Sequence, residues 1–246
     1  MGNNIAIIPA RMASTRFPGK PLKMINGKPM IGHVYANVRA CNFLKETYVA
    51  TCDEEIAQYI KSIGGKYIMT SDKHQRASDR TAEAMLKAEQ LLKTKLDIIV
   101  MVQGDEPMVT SHMIEKSLLP FKDKNINIVN LMTKINRIKE FEDPNEPKVV
   151  VDINSNAIYF SREPIPSRKK GVKNVPMFKQ VCVIPFRRDY LIKYNNLPET
   201  DLERIESIDM NRIIENGDKI RMVEVAGPIK SVDTQNDLKI VSDLIN

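Results

Sequence analysis

The sequence predicts an α/β protein with a mostly parallel central sheet and flanking helices. Strand and helix patterns alternate through the first half of the chain, which is the order expected of right-handed βαβ units. The most apolar strand pattern, residues 97–102, is rich in β-branched residues and indicates a strand buried on both faces. A chain of 246 residues can bury one such core, so we expect a single domain over residues 1–246.

The N-terminal half supplies its elements in a regular order. The predicted elements are a strand at 4–8, a helix at 30–41, a strand at 47–51, a helix after Asp53 with Ile56, Ile60 and Ile63 inward, a strand at 66–70, a helix at 82–92, a strand at 97–102 and a helix from Thr110. Asp53 is a favourable N-cap, and Gly64 and Gly65 end the helix that it begins.

Beyond Asn127 the alternation is interrupted. Strand patterns at 148–151 and 157–160 flank an Asn-Ser-Asn turn and predict a hairpin. We therefore expect residues 146–180 to form a hairpin and arm inserted in the domain, serving as a lid or dimer contact, with a solvated loop as the alternative. The other expected elements are strands at 128–132, 180–186 and 219–225, a helix at 202–215 and a terminal helix with a capping box at Thr234 and Asp237.

Charge and composition narrow the possible functions. Lys and Arg number 37 against 31 Asp and Glu, a net charge of +6 that favours anionic partners. The absence of Trp argues against a single-stranded nucleic-acid platform, which depends on base stacking. Three cysteines without a C-x-x-C pair do not suggest a disulfide framework or a zinc site. Without a leader pattern or membrane-length apolar run, we expect a soluble cytoplasmic protein with no membrane partner.

A basic loop follows the first strand. Residues 9–20 carry Arg11, Arg16 and Lys20 among Pro, Ser, Thr and Gly. Backbone N–H groups and fixed cations at the carboxyl edge of a sheet bind phosphates, so the loop predicts a triphosphate site. A basic surface loop is the alternative, since the spacing matches neither a Walker A loop nor G-x-G-x-x-G.

Two aspartates occur at positions that suit a metal. Asp105 follows the buried strand at 97–102, where open α/β sheets bind their ligands. Mg²⁺ takes one or two carboxylates together with phosphate oxygens, although a solvated Gly-Asp turn is an alternative. Asp233 lies just before the terminal helix, whose N-terminus favours anions or a metal-phosphate assembly.

These segments occur together, in this order, in one enzyme family. The matching segments are Ile8-Pro9-Ala10-Arg11, 14–21, 26–31, 102–107, Lys148-Val149-Val150, 159–162, Arg187-Arg188-Asp189 and Val232-Asp233-Thr234. On these segments the chain resembles the CTP-dependent sugar-acid cytidylyltransferases, most closely those for 3-deoxy-manno-octulosonate (KDO). The resemblance implies a Rossmann-like nucleotide-diphospho-sugar transferase fold. It also implies attack of the anomeric hydroxyl of a 2-keto-3-deoxy sugar acid on CTP, giving a CMP-sugar and pyrophosphate.

The resemblance further implies a role for each cluster. The expected catalytic residues are Arg11, Lys20, Asp105 and Asp233, with Mg²⁺ as the cofactor held by Asp105 and Asp233. The expected nucleotide-binding residues are Ala10, Arg11, Ser14, Arg16, Lys20, Ala77, Ser78, Arg80 and Gln103. The expected acceptor-binding residues are Gln103, Arg162, Gln180 and Asp209. The implied partners are CTP, an acidic sugar and a second copy of the chain in a homodimer, without nucleic acid.

The sequence departs from the family pattern in two places. In the segment expected to recognise cytosine, Arg76-Ala77-Ser78-Asp79-Arg80 replaces Ser-Gly-Thr-Asp/Glu-Arg. At the acceptor end, residues 180–184 replace His-x-Gly-Ile-Tyr, and Asp209-Met210 replaces a Glu-Gln pair. Losing a hydrogen-bond partner to a sugar hydroxyl costs about 1–3 kcal/mol. We therefore hypothesise a different ulosonic acid, or a KDO modified on its side chain, as the acceptor.

Two other functions are compatible with parts of the sequence. A UTP-dependent sugar-1-phosphate enzyme would keep the fold and change the base or the acceptor. A non-catalytic nucleic-acid-binding or regulatory protein would bind duplex through the basic segment 162–179 by charge alone. The joint presence of a basic loop and two separate carboxylates favours an enzyme.

Overall fold

The computed structural model describes residues 2–14, 17–171 and 174–245. Within them the strands are β1 (Ile5–Pro9), β2 (Met24–Ile25), β3 (Lys28–Pro29), β4 (Glu46–Thr51), β5 (Tyr67–Met69), β6 (Ile98–Val102), β7 (Val129–Lys134), β8 (Lys148–Val151), β9 (Ala157–Ser161), β10 (Phe178–Val181), β11 (Val183–Arg187) and β12 (Arg221–Glu224). The helices are α1 (Met30–Arg39), α2 (Glu54–Ser62), α3 (Ala77–Leu92), α4 (Ser111–Leu118), α5 (Ile138–Phe141), α6 (Arg188–Asn195), α7 (Asp201–Glu206), α8 (Asn211–Glu215) and α9 (Gln235–Leu244).

The first sheet has the strand order β11-β6-β1-β4-β5. β1 runs parallel to β4 and β6, and β4 runs parallel to β5, whereas β11 is antiparallel to β6. Alternate residues of β1 enter two cores, because Ile5 and Ile7 pack in the cluster that contains α3 residues, and Ala6 and Ile8 in the cluster that contains α1 residues. The predicted mostly parallel sheet with flanking helices is confirmed, with one antiparallel edge strand.

A second sheet has the order β12-β7-β10-β8-β9. β8 and β9 form the predicted hairpin, with an irregularity between Val150 and Val151. The hairpin is not isolated, because β10 pairs with both β8 and β7. Residues 146–180 therefore supply three strands of this sheet, and the described residues between β9 and β10 form neither helix nor strand.

Three predictions of local structure were wrong. Residues 180–186 are not one strand, because the chain leaves the second sheet at Cys182 and enters the first as β11. The helix predicted over 202–215 is divided into α7 and α8, since Ser207 adopts a left-handed φ of 53° that ends α7. Asp209 consequently lies between two helices. Ile63, predicted to face inward, is 40% exposed because α2 ends at the preceding residue.

Across residues 2–14, 17–171 and 174–245, no helix combines the length and apolar character needed to cross a bilayer.

Phe160 of β9 offers a test of the core that joins the two sheets. Its ring is fully buried in a cluster that also contains Ile99 of β6 and Phe186 of β11. We expect Phe160→Ala to lower the free energy of unfolding by about 3–5 kcal/mol, because the truncation leaves a cavity. Ile158 on the same strand is 55% exposed, so Ile158→Ala should cost less than about 0.5 kcal/mol. Urea unfolding followed by circular dichroism measures both, and equal losses would contradict this core.

Candidate active site

A cleft lies beyond the carboxyl ends of β1 and β6, the edge at which open α/β sheets bind ligands. Its cavity volume is about 290 Å³. The lining comes from the loop after β1, from the start of α3 with the loop before it, and from the turn after β6. The predicted site residues in the lining are Ala10, Arg11, Ser14, Lys20, Ala77, Arg80, Gln103 and Asp105. The predicted residue Arg16 lies outside the described part of the chain.

Two aspartates that are distant in sequence lie around one ammonium group. Lys20 Nζ donates to Asp105 Oδ2 at 2.6 Å and to Asp233 Oδ1 at 3.3 Å. All three side chains are largely buried. Burial lowers the pKa of Lys20, but the charges and hydrogen bonds of the two carboxylates outweigh it and raise that pKa above its ordinary value. Lys20 is therefore a fixed cation at the end of the cleft.

The main chain brings these two carboxylates together. The Val232 N–H donates to the carbonyl oxygen of Asp105 at 3.0 Å, which joins the loop before α9 to the turn after β6. A Cβ atom at Gly104 would lie 3.1 Å from the carbonyl oxygen of Pro9. Glycine therefore allows the turn after β6 to pack against the end of β1, which also carries the basic loop.

The start of α3 forms another wall of the cleft. The helix begins at Ala77, earlier than predicted, so Ala77 and Ser78 lie in its first turn. Ser78 is fully buried, and the buried Arg80 donates through Nη1 to Thr70 Oγ1. Within the described part of the protein, Arg80 Nη2 is buried without a hydrogen-bond partner. A buried donor of this kind indicates a place where a bound group could supply the acceptor.

Glu83 of α3 holds the loop of this wall, and it was not identified from the sequence. Its carboxylate accepts from the Ser71 N–H at 2.9 Å, contacts His74 Nε2 and pairs with Lys87 Nζ at 2.7 Å. Burial raises the pKa of Glu83, but these partners together outweigh burial and lower the pKa to about 2. The spacing of Glu83 and Lys87 predicts an ion pair on a helix surface, yet it does not show that the carboxylate also reaches a loop.

Of the predicted acceptor residues, Gln103 lines the cleft and Asp209 is connected to it. Arg76, which also lines the cleft, donates to Asp209 Oδ1 at 2.9 Å and to Glu199 Oε1 at 2.5 Å. Burial raises the pKa of Asp209, and the Arg76 guanidinium opposes that effect. Arg76 is one of the departures from the family pattern, and the sequence predicted no role for it.

Arg162 and Gln180 lie outside the cleft lining. The Arg162 guanidinium donates to three backbone carbonyl groups, those of Pro144, Glu206 and Ser207. Gln180 Nε2 donates to Asn130 Oδ1 at 2.6 Å. Both side chains make bonds within the protein, and their binding of an acceptor stays a prediction.

Glu106, next to Asp105, is buried and connects the turn after β6 to Cys182. Its Oε1 accepts from the Cys182 N–H at 3.1 Å, at the point where the chain passes between the sheets. Burial, and then the charge of Asp105, raise the pKa of Glu106 to about 8. This carboxyl group was not singled out from the sequence, where it follows Asp105 in a turn.

The oxygen ligands available to a metal are few. Among the described residues there is no group of three or more His, Cys, Asp or Glu side chains arranged to hold an ion. Asp105 and Asp233 lie on either side of Lys20, and Asp105 Oδ1 is buried without a protein hydrogen-bond partner in the part of the chain described. Such a pair suits Mg²⁺, which completes its octahedron with phosphate oxygens and water.

Comparisons with known proteins point to one family. Residues 5–220 match the family model described as Cytidylyltransferase. The 3-deoxy-manno-octulosonate cytidylyltransferase of Geobacter metallireducens is 39% identical over 251 residues, which cover 97% of this chain and 96% of the relative. The enzyme of the same name from Fusobacterium nucleatum is 41% identical over 243 residues, covering 98% of this chain and 96% of the relative.

Solved structures agree with these relatives. A CMP:2-keto-3-deoxy-manno-octonic acid synthetase complexed with CTP superposes with a TM-score of 0.89 at 37% identity, covering 99% of this chain and 98% of that one. A putative glucose-1-phosphate thymidylyltransferase from Bacillus anthracis superposes with a TM-score of 0.70 at 14% identity, covering 98% of this chain and 94% of that one. The second similarity concerns the fold alone.

The lowered pKa of Glu83 predicts a dependence of stability on pH. A carboxyl group whose pKa falls from 4.5 to about 2 on folding contributes stability above pH 4.5 and loses it as the pH falls toward 2. Glu83→Gln removes the charge and keeps the shape. Between pH 6 and pH 3.5, we expect the variant to lose about 1 kcal/mol less unfolding free energy than the parent protein. Urea unfolding at both pH values measures this difference.

Glu55 provides the control for this experiment, because it is exposed on α2 and away from the cleft. Glu55→Gln should leave the difference between the two pH values unchanged. If Glu83→Gln behaves as Glu55→Gln does, the proposed anchoring of the loop by Glu83 is wrong.

Proposed function

The chain belongs to the 3-deoxy-manno-octulosonate cytidylyltransferase family, and on this basis we propose that it transfers CMP from CTP to a 2-keto-3-deoxy sugar acid. The observation that carries the proposal is the buried Lys20, held between Asp105 and Asp233 at the end of a cleft. A cation and two carboxylates at the carboxyl edge of a parallel sheet suit a nucleoside triphosphate.

The proposed reaction requires positioning and neutralisation of charge more than covalent chemistry by the protein. The anomeric hydroxyl of the acceptor loses its proton to solvent and forms a bond to the α-phosphorus of CTP, the bond from that phosphorus to the bridging oxygen breaks, and pyrophosphate leaves. Lys20, kept protonated by its two carboxylates, would stabilise the charge that develops on pyrophosphate. Arg11, exposed on the loop after β1, would bind the triphosphate with it.

We propose Mg²⁺ as the cofactor, with Asp105 and Asp233 as its protein ligands. The ion would neutralise phosphate charge and lower the pKa of the attacking hydroxyl. The unpartnered Asp105 Oδ1 supports this assignment, since a buried carboxylate oxygen needs a donor or a cation. His74 also lines the cleft, but its Nε2 contacts Glu83. We therefore assign His74 to holding the loop and not to removing the proton of the attacking hydroxyl.

The acceptor is proposed to be KDO or an ulosonic acid that differs from it in the side chain. Gln103 would lie between nucleotide and acceptor, and the pair of Arg76 and Asp209 would border the acceptor. The departures at Gln180, Asp209 and Met210 from the family pattern motivate the second possibility. We also propose a homodimer, which the family resemblance implies, and a cytoplasmic location. β9, an edge strand of the second sheet with an exposed Ile158, offers a surface for the dimer.

The two carboxylates can be tested by neutral isosteres. Asp105→Asn and Asp233→Asn should each lower kcat for pyrophosphate release from CTP, KDO and Mg²⁺ by about 100-fold or more, because an amide cannot replace the charge. A coupled pyrophosphate assay gives the rates, and circular dichroism checks folding. Asp189→Asn, at an exposed ion pair with Lys95, should retain the parent rate. Full activity in either site variant would exclude that residue as a required ligand.

A panel of substrates distinguishes the proposed function from that of a UTP-dependent sugar-1-phosphate enzyme. With a KDO-type acceptor, CTP should support pyrophosphate release at least about 100-fold faster than UTP, because a mismatched hydrogen-bonding edge of the base leaves buried polar groups unpaired. Faster turnover of UTP with a sugar 1-phosphate would overturn the proposal. A side-chain variant of KDO that outperforms KDO would support the modified acceptor, whereas family-like turnover of KDO itself would remove the basis for that modification.

A further inference from the structure

A series of ion pairs, with Lys179 and Glu146 buried, leads from the second sheet to the loop before α9. Lys179 of β10 donates to Glu146 Oε2 at 3.1 Å and pairs with Glu140 Oε1 at 2.6 Å. Lys230 donates to Glu146 Oε1 at 3.0 Å and pairs with Asp237 Oδ1 at 2.8 Å. Glu146 therefore joins two lysines. Asp237, in the first turn of α9, is the last member of this series of ion pairs.

Asp237 in turn fixes the main chain of the loop. Its Oδ2 accepts from the N–H groups of Asp233 and Thr234 at 3.3 and 2.9 Å, and from Thr234 Oγ1 at 2.8 Å. Lys179 holds the beginning of the same loop by donating to the Ile229 carbonyl at 2.8 Å. The loop from 229 to 234 is thus fixed at both ends, and the N–H of Val232 bonds to Asp105 between them.

The ion pairs of Lys179, Glu146 and Lys230 are not needed to cap α9. Thr234 and Asp237 form a complete capping box without help from any lysine. The side chains of Lys179 and Glu146 are only 3% and 6% exposed, and burying such ions is costly unless they are fully paired. Asp237 uses Oδ1 for Lys230 and Oδ2 for the N–H groups of Asp233 and Thr234, so the ion pair with Lys230 restricts the orientation of the segment that carries Asp233.

We propose that Lys230 is a positioning residue for the metal site, and that it acts through Asp237 to keep Asp233 opposite Asp105. The inference rests on the proposed function, because the position of Asp233 matters to a metal only if Asp233 binds one. Residues that orient metal ligands commonly contribute 10-fold to 100-fold in metal affinity. Lys230 itself has no contact with the substrates in this scheme.

The experiment replaces Lys230 in the full-length chain. Binding of Mn²⁺ in the presence of CTP, without acceptor, is followed by electron paramagnetic resonance. We expect Lys230→Met to weaken Mn²⁺ binding by about 10-fold and to raise the Mg²⁺ concentration needed for half-maximal pyrophosphate release by a similar factor. The value of kcat at saturating Mg²⁺ should stay within about threefold, and Lys230→Arg should restore metal binding.

Lys134→Met is the matched control. Lys134 lines the same surface cavity as Lys230 but pairs with Glu224 at 3.3 Å, and its side chain is largely exposed. The Lys134→Met variant should bind Mn²⁺ as the parent protein does. Thermal melting of all variants reports on stability separately, and Lys230→Gln serves for the same comparison if Lys230→Met does not fold.

Two results have distinct meanings. A folded Lys230→Met protein that binds Mn²⁺ and CTP like the parent protein, with or without a lower Tm, overturns the inference and leaves the ion pair a purely stabilising contact. A parent protein that neither binds Mn²⁺ with CTP nor releases pyrophosphate overturns the proposed function, whatever Lys230 does.

Discussion

The arrangement of the site depends on the contact of Lys20 with Asp105 and Asp233. Two carboxylates that share one ammonium group repel each other, and the cation between them offsets that repulsion. The three residues follow β1, follow β6 and precede α9, so the contact requires the strand order of the first sheet and the bond from Val232 to Asp105. The close packing of Gly104 against Pro9, and the ion pairs of Lys230 with Glu146 and Asp237, hold the segments that carry Asp105 and Asp233.

The sequence was sufficient for the parallel strands of the first sheet and for the hairpin of β8 and β9, but not for the division of residues 180–186 between the two sheets. β1 and β6 are apolar along their whole length, because each is buried on both faces, and that property is visible in the sequence. The apolar run at 180–186 carries no sign of its division at Cys182, since both parts are strands. The hydrogen bond from the Cys182 N–H to Glu106, 76 residues earlier, accompanies that change of sheet, and local patterns cannot reveal a contact of this range.

The same difference in range separates the site residues that were identified from those that were missed. Arg11 and Asp105 lie just after β1 and β6, and Lys20 ends the loop that follows β1, so the sheet topology predicts that they meet, and they do line one cleft. Glu83 bonds to Ser71 and Arg76 bonds to Asp209, and no spacing in the sequence predicts these contacts with other segments. Arg162 and Gln180 carry suitable groups, but their bonds to Pro144 and Asn130 depend on the second sheet.

The two departures from the family pattern are in contact with each other. Arg76 stands where the pattern has serine, and Asp209 stands where it has glutamate, and the two side chains form an ion pair at 2.9 Å. A guanidinium carries a permanent charge that a serine hydroxyl lacks, and the Asp209 carboxylate provides the opposite charge within hydrogen-bond distance. Partial burial also requires a charged partner for Arg76, which Asp209 and Glu199 supply. This ion pair therefore links the wall at the start of α3 to the segment between α7 and α8.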